Sequence, residues 1–194
     1  MNAAFDLFAQ PSSECVQLFD DAEGGVRYWP SIIAPERAHD WFGQLLQLSW
    51  GTLRRQMYDR QVDVPRMLFH RRLDDADCPS LLHEILRAVQ TVAPAPYNAA
   101  GLNLYRDGRD SVAMHGDKLP MLKAAQPIAI VSLGDPRVML IRERGGERST
   151  RRIELSPGSL LLMSHASQRT HEHGIPKTAR PVGPRMSVVY RVRP

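Results

Sequence analysis

Cysteine is nearly absent from this chain: two in 194 residues, Cys15 and Cys78, far apart. That excludes a disulfide framework and any zinc site built on paired cysteines, and it suits a reducing, cytoplasmic setting. No apolar run is long enough to cross a bilayer, and no basic segment followed by an apolar stretch and a cleavage site opens the chain. Neither a membrane span nor secretion is expected. An excess of one charge is lacking too: 25 Lys and Arg against 21 Asp and Glu leave a formal net charge of only +4, a mild attraction for anionic partners such as phosphate backbones. No internal repeat or low-complexity tract is visible. Hydrophobic residues make up 43% of the chain, enough to bury a core and to argue against disorder. Length predicts one domain.

Residues 1–25 read as a lead-in that ends in a turn at Gly24-Gly25, and 26–194 as a single domain. Within that domain, 26–98 would supply helical support and a substrate lid, and 99–194 the β core. Val26 to Ile33 is apolar enough for a strand, with Pro30 marking an edge or a break. Pro35-Glu36 opens a helix whose apolar positions Ala38, Trp41, Phe42, Leu45, Leu46 and Leu48 recur at helical spacing, with Gly51 as its cap. Thr52 to Tyr58 suits a strand, Asp59 to Arg66 a polar loop, and Met67 to Arg72 a further extended piece. A second helix follows Pro79, buried along Leu82, Ile85, Leu86, Val89 and Val92. His39, His70 and His83 have no partner suggested by spacing and read as surface or rim residues.

From Asn98 onward, short apolar segments alternate with turn signals. Ala99 to Tyr105 reaches Asp107-Gly108 and returns through Ser111 to His115, a predicted hairpin. Gly145-Gly146 marks a second hairpin, and Ser156-Pro157-Gly158-Ser159 a tight turn. Roughly eight short strands after two helices predict a mainly β, α+β fold, a jelly-roll-like double sheet with helices against one face.

Two segments carry chemistry. His115-Gly116-Asp117 would project one imidazole and one carboxylate from the same side of an extended strand. The histidines at 165, 171 and 173 are the suppliers of a third ligand. Two histidines and one carboxylate on one face of a metal leave the other face open, as in non-haem Fe(II) oxygenases. The last strand, Arg185 to Val192, alternates: Met186, Val188, Tyr190 and Val192 form a core face, and Arg185, Ser187, Val189 and Arg191 the other. If the second face looks into the barrel, its two guanidinium groups need a counter-charge, which a dicarboxylate would supply. Two solvent-facing arginines on an edge strand are the alternative. Asn103 and Tyr105 share a face in the same way.

In order along the chain, these elements resemble the AlkB family of Fe(II)- and 2-oxoglutarate-dependent dioxygenases. Asn103-Leu104-Tyr105 resembles its Asn-x-Tyr strand and His115-Gly116-Asp117 its His-x-Asp iron motif. His173 in His-Gly-Ile-Pro-Lys resembles its distal iron histidine, and Arg185 with Arg191 its paired cosubstrate arginines. Val64-Pro65-Arg66 resembles part of its nucleotide-recognition lid.

The resemblance implies a double-stranded β-helix, with Fe(II) on His115, Asp117 and His173 and 2-oxoglutarate on Asn103, Tyr105, Arg185 and Arg191. Dioxygen would be the second cosubstrate, and the activity oxidative demethylation of N-alkylated bases in DNA or RNA, as in alkylation repair. Met57, Tyr58, Arg66 and Phe69 are the candidate lid residues, ordinary strand and loop positions being the alternative. Arg54, Arg55, Arg60, Arg71 and Arg72 are candidates for a phosphate path, or else a solvated basic face. His165 and His171 would stand beside or outside the iron site.

Two departures are visible. Asp117 is followed by Lys118, Leu119 and Pro120, where the family's repair members usually carry an acidic pair that reads the base. Phe69-His70-Arg71-Arg72 stands where an aromatic-Gly often follows the Pro-Arg element. The same oxygenase chemistry on a protein, lipid or small molecule is therefore the alternative, with a non-catalytic metal-binding barrel more remote.

Overall fold

The computed structural model describes residues 14–52, 54–57, 60–145 and 150–194, with backbone only for 54–57 and 60–63. Alternation of apolar residues lets a strand bury both faces only if something packs on each, and here something does. A seven-stranded antiparallel sheet lies between a helical layer and a four-stranded antiparallel sheet.

The larger sheet contains β1 (Val16–Phe19), β2 (Val26–Trp29), β5 (Met67–Arg72), β6 (Ala99–Tyr105), β8 (Ile128–Gly134), β11 (Leu160–Met163) and β13 (Arg185–Arg191). Their order across the sheet is β1-β2-β11-β8-β13-β6-β5. The smaller sheet contains β7 (Val112–His115), β9 (Arg137–Glu143), β10 (Arg151–Leu155) and β12 (His171–Ile175), ordered β10-β9-β12-β7. A separate two-stranded hairpin is formed by β3 (Arg54–Met57) and β4 (Arg60–Asp63).

Helices α1 (Pro35–Leu46) and α2 (Ser80–Gln90) press Trp41, Leu45, Leu82, Ile85 and Val89 onto the outer face of the large sheet. That face presents Leu102, Leu104, Met186, Val188 and Tyr190. The inner face meets the small sheet in a second core holding Tyr105, Ile128, Ile130, Met139, Ile141, Ile153 and Val189. The alternation of β13 thus divides as the sequence suggested, its even-numbered side chains on the helices and its odd-numbered ones between the sheets. The mainly β fold class with helices on one face is the architecture found.

Several local expectations are corrected. Val16–Phe19, assigned to a lead-in, pairs with β2, and β2 and β5 bring part of the supposed support region into the main sheet. Arg60–Asp63 is a strand, not loop. The first helix ends at Leu46 with Gln47 as its C-cap, and Gly51 instead bridges to Leu68.

The predicted Asp107-Gly108 hairpin does not exist as a pair. β6 joins β13 and β5, whereas β7 joins β12 in the opposite sheet. The connection is a crossover, tied down by Thr178 N–H donating to the Gly108 carbonyl at 2.9 Å. Turn chemistry fixes where the chain reverses but not which sheet receives the returning strand. The second hairpin does form, as β9 with β10, and the turn at 156–159 closes through Ser159 N–H to the Ser156 carbonyl at 3.1 Å.

Candidate metal and cosubstrate site

β7 and β12 are neighbours in the small sheet, and their register sets His115 opposite His173. The ring centroids lie 4.6 Å apart. Beyond the end of β7 the chain passes through Gly116, where a Cβ would approach the Gln168 carbonyl to 2.6 Å and Arg144 Nη2 to 2.5 Å. Any side chain would force this passage open, so glycine is what lets Asp117 follow His115 so closely. Candidate ligand atoms of His115, Asp117 and His173 all lie within 4.8 Å of one another, and among the described residues this is the cluster with that property.

Each member is oriented by a neighbour. The His115 Nδ1 edge faces the Ala113 carbonyl at 2.9 Å, which leaves Nε2 for a ligand. That Nε2 is 4.0 Å from Asp117 Oδ1. Asp117 is held twice: its main-chain N–H donates to Gln168 Oε1 at 2.9 Å, and its Oδ2 accepts from Arg191 Nε at 2.7 Å. Burial opposes ionisation of Asp117, but the charge and hydrogen bond of Arg191 outweigh it and hold the carboxyl below its ordinary value. His173 is only 7% exposed. Burial, with His115 adding to it, lowers its pKa to about 4, so at neutral pH the imidazole is neutral with a lone pair to offer.

Gln168, in the short helix α3 (Ser167–Thr170), was not singled out from sequence, and nothing in its spacing marks it. Its turn is held by the N-terminal segment: Ser164 Oγ donates to Asp21 Oδ2 at 2.6 Å, and Ala166 N–H to Glu23 Oε2 at 2.8 Å. His165 is buried in this turn, and His171 stacks on Phe19 at 4.5 Å; neither belongs to the cluster.

On the inner face of the larger sheet lies Arg185, 1% exposed. Its Nη2 donates to Ser132 Oγ at 3.0 Å, and its guanidinium carbon sits 5.2 Å from the centre of the Tyr105 ring. Nε and Nη1 are buried with no hydrogen-bond partner. Arg137, 4% exposed, reaches the same ring at 5.9 Å and gives its own donors to the carbonyls of Asp107, Asp110 and Pro176. Two buried guanidinium groups therefore flank Tyr105, and no salt bridge joins either to a carboxylate among the described residues. Burial pushes the pKa of both down, the response of a charge short of its counter-ion. Asn103 is part-buried, accepting Arg66 Nε at 2.8 Å and donating to Ser187 Oγ at 3.2 Å.

The lid candidates separate. Arg66 stands at the site through Asn103. Phe69 does not: it is 7% exposed in the helix-side core, 6.4 Å from Trp50, because its place on β5 turns it to the outer face. Tyr58 and the side chains of Met57, Arg54, Arg55 and Arg60 lie outside the described residues. Arg71 and Arg72 pair with Asp77 and Asp74.

The arrangement fits Fe(II) and 2-oxoglutarate on its own chemistry. Two neutral imidazoles and one carboxylate are the donor set of a facial triad. The orphaned N–H groups of Arg185 ask for a carboxylate on the inner face of the larger sheet.

The model of the 2OG-Fe(II) oxygenase superfamily matches residues 25–192. The chain belongs to that superfamily. Its curated relatives make it an AlkB-like oxygenase: it is 30% identical over 118 residues to the bovine protein named DNA oxidative demethylase ALKBH2, covering 57% of this chain and 42% of that one. The human protein of the same name is 32% identical over the same length, covering 57% and 45%. Mouse alpha-ketoglutarate-dependent dioxygenase alkB homolog 3 is 33% identical over 103 residues, covering 49% and 36%. The chain spans less than half the length of these relatives.

Among solved oxygenase structures, that of OsALKBH1 superposes with a TM-score of 0.61 at 14% identity, covering 87% of this chain and 97% of that one. A 2OG-Fe(II) oxygenase-family oxidoreductase from Burkholderia pseudomallei gives 0.56 at 16%, covering 86% and 84%. At such identities the likeness is one of fold. No helix among the described residues of this oxygenase is long and apolar enough to cross a membrane.

Proposed function

We propose that this chain is an Fe(II)- and 2-oxoglutarate-dependent dioxygenase that oxidatively demethylates N-alkylated bases in DNA or RNA. The observation that carries the chemistry is the buried, unpartnered edge of Arg185 on the face of β13 from which Arg191 reaches Asp117 of the His115–Asp117–His173 cluster. His115, Asp117 and His173 would hold the iron. Arg185, assisted by Tyr105, would take the distal carboxylate of 2-oxoglutarate, and Arg191 with Asn103 would orient the end nearest the metal. The bound iron supplies the oxidising centre that couples decarboxylation of 2-oxoglutarate to hydroxylation of an N-alkyl carbon.

The chain's own residues do the rest. Arg191 keeps Asp117 ionised and aimed, Gln168 fixes its backbone, and the core between the two sheets keeps the Arg185 guanidinium out of water. Arg66, bonded to Asn103 and three residues beyond the end of β4, would contact the substrate. The nucleic-acid substrate is supported by what its relatives are named for, and a base must leave its stack to reach such a pocket. Two unpaired cysteines suit a reducing cytoplasm.

Succinate and formaldehyde release should appear when the purified protein meets Fe(II), 2-oxoglutarate and an N-methylated oligonucleotide. Succinate without formaldehyde across a panel of methylated DNA and RNA would keep the oxygenase and discard the nucleic-acid substrate. That second reading, the same chemistry on a protein, lipid or small molecule, is favoured by one observation: Asp117 leads into Lys118 and a single 3-10 turn, Leu119–Met121, with no acidic pair.

A further inference from the structure

At the end where β5 and β13 finish and β6 begins lies an open cleft of about 600 Å3, lined by His70, Arg71, Arg72, Asp75, Asp77 and Arg193. It adjoins the metal centre through Gly101. A Cβ there would lie 2.9 Å from His70 Nδ1 and 3.4 Å from Arg191 Nη1, so both side chains rest over the bare Cα. Arg191 in turn holds Asp117.

The carboxylates of the cavity are engaged. Asp77 pairs with Arg71 at 3.0 Å, and Asp75 accepts the main-chain N–H of Arg72 at 2.9 Å. Arg193 has no carboxylate partner among the described residues; its main-chain N–H and carbonyl are both tied to the Asn98 side chain, at 2.8 and 3.0 Å. Two groups of different kind feel the nearby Arg191 charge after the effect of burial. Burial, then Arg191 with Arg193 and Arg66, lowers the pKa of His70; burial, then Arg191, lowers that of Arg193. Arg71 and Arg72 are balanced by Asp77 and Asp74, which leaves Arg193 as the cation of this polar lining with a guanidinium to offer an anion.

We propose that this cavity seats a backbone phosphate of the substrate strand on Arg193, with His70 contributing an imidazole N–H. The inference rests on the nucleic-acid reading above and names the part of the substrate held beside the target base. A phosphate contact of this kind adds affinity without reading sequence. It also releases counter-ions, so its removal flattens the salt dependence of binding.

The test is binding of a fluorescent single-stranded methylated oligonucleotide to the full chain, loaded with Fe(II) and 2-oxoglutarate under anaerobic conditions, across a salt series. Arg193→Gln should weaken binding about tenfold at low salt and lower the slope of log K against log salt by roughly one phosphate contact, with Arg193→Lys largely restoring both. His70→Asn should weaken binding without changing the slope. The melting temperature and the affinity for 2-oxoglutarate should stay at wild-type values in all three.

An unchanged slope in Arg193→Gln overturns the inference, as does loss of inorganic phosphate binding with oligonucleotide binding intact, which would make this a free-phosphate site. If the wild-type protein consumes 2-oxoglutarate but binds no oligonucleotide, the nucleic-acid reading falls and takes the inference with it. A wild-type protein that binds, with a variant that binds alike, removes the inference alone.

Discussion

Arg191 donates from Nε to Asp117 Oδ2 across 2.7 Å, joining the last strand of one sheet to the residue that follows an edge strand of the other. Under the proposed function Arg191 would have a second duty, orienting the end of the cosubstrate nearest the metal. Arg191→Met removes the donor that orients the carboxylate. Loss of such a partner costs about 10–100-fold in metal affinity. The expected result is that loss in an anaerobic Fe(II) or Co(II) titration without 2-oxoglutarate, whereas a residue serving the cosubstrate alone would leave the titration unchanged.

Arg185 predicts an inverse relation between stability and binding. A buried guanidinium with two idle N–H groups destabilises the protein without its ligand. Arg185→Met should therefore unfold at higher urea without 2-oxoglutarate, by roughly 1–3 kcal/mol, and fail to be stabilised when it is added. The KM for 2-oxoglutarate should rise on the order of 100-fold, about two charge-assisted hydrogen bonds. A variant that is destabilised in the absence of ligand and keeps its KM would show that Arg185 is structural.

These two arginines were legible because strand alternation is a local rule: residues two apart share a face wherever the strand goes. The same rule brought His115 and Asp117 to one side, and the Gly-Ile-Pro context singled out His173. What local rules do not carry is which sheet a strand joins. β7 was read as the hairpin mate of β6, yet its place beside β12 is what faces His115 with His173. Gln168 was invisible for a related reason. Its role depends on Asp21 and Glu23, which lie 143 residues before Ser164 and Ala166, the groups they hold. Arg137 gave no signal either, because its partners are main-chain carbonyls, which every sequence has.

Phe69 shows how a side-chain direction decides a role. From sequence it stood next to the Pro-Arg element and suited a lid, but β5 pairs with β6 in a register that turns it onto the helices. Phe69→Ala should act on the core, at about 3–5 kcal/mol. For a chain of this size that lowers the melting temperature by roughly 10 °C. The KM for methylated oligonucleotide, measured well below that temperature, should match wild type. A raised KM with an unchanged melting temperature would return Phe69 to the lid.

Asp110 offers a test by pH at the crossover between the sheets. It is 3% exposed and receives Arg106 at both oxygens, Nε at 2.8 Å and Nη2 at 2.9 Å, as well as the Arg106 N–H at 2.9 Å. Burial opposes the charge, but these bonds prevail and hold the carboxyl below its ordinary value. A folded pKa below the unfolded one stabilises the fold above the unfolded value, near 4, and that contribution disappears as pH falls through the folded value. Arg106 is more than half exposed, so the gain is screened and amounts to about 1 kcal/mol. Asp110→Asn should therefore unfold at lower urea than wild type at pH 7 and pH 5, with the gap closing as the pH falls below the unfolded value, about 4, and through the folded one. Other carboxylates titrate in both proteins and cancel in the difference. A gap that persists unchanged in acid would mean that the Asp110 side chain serves the crossover by shape, not by charge.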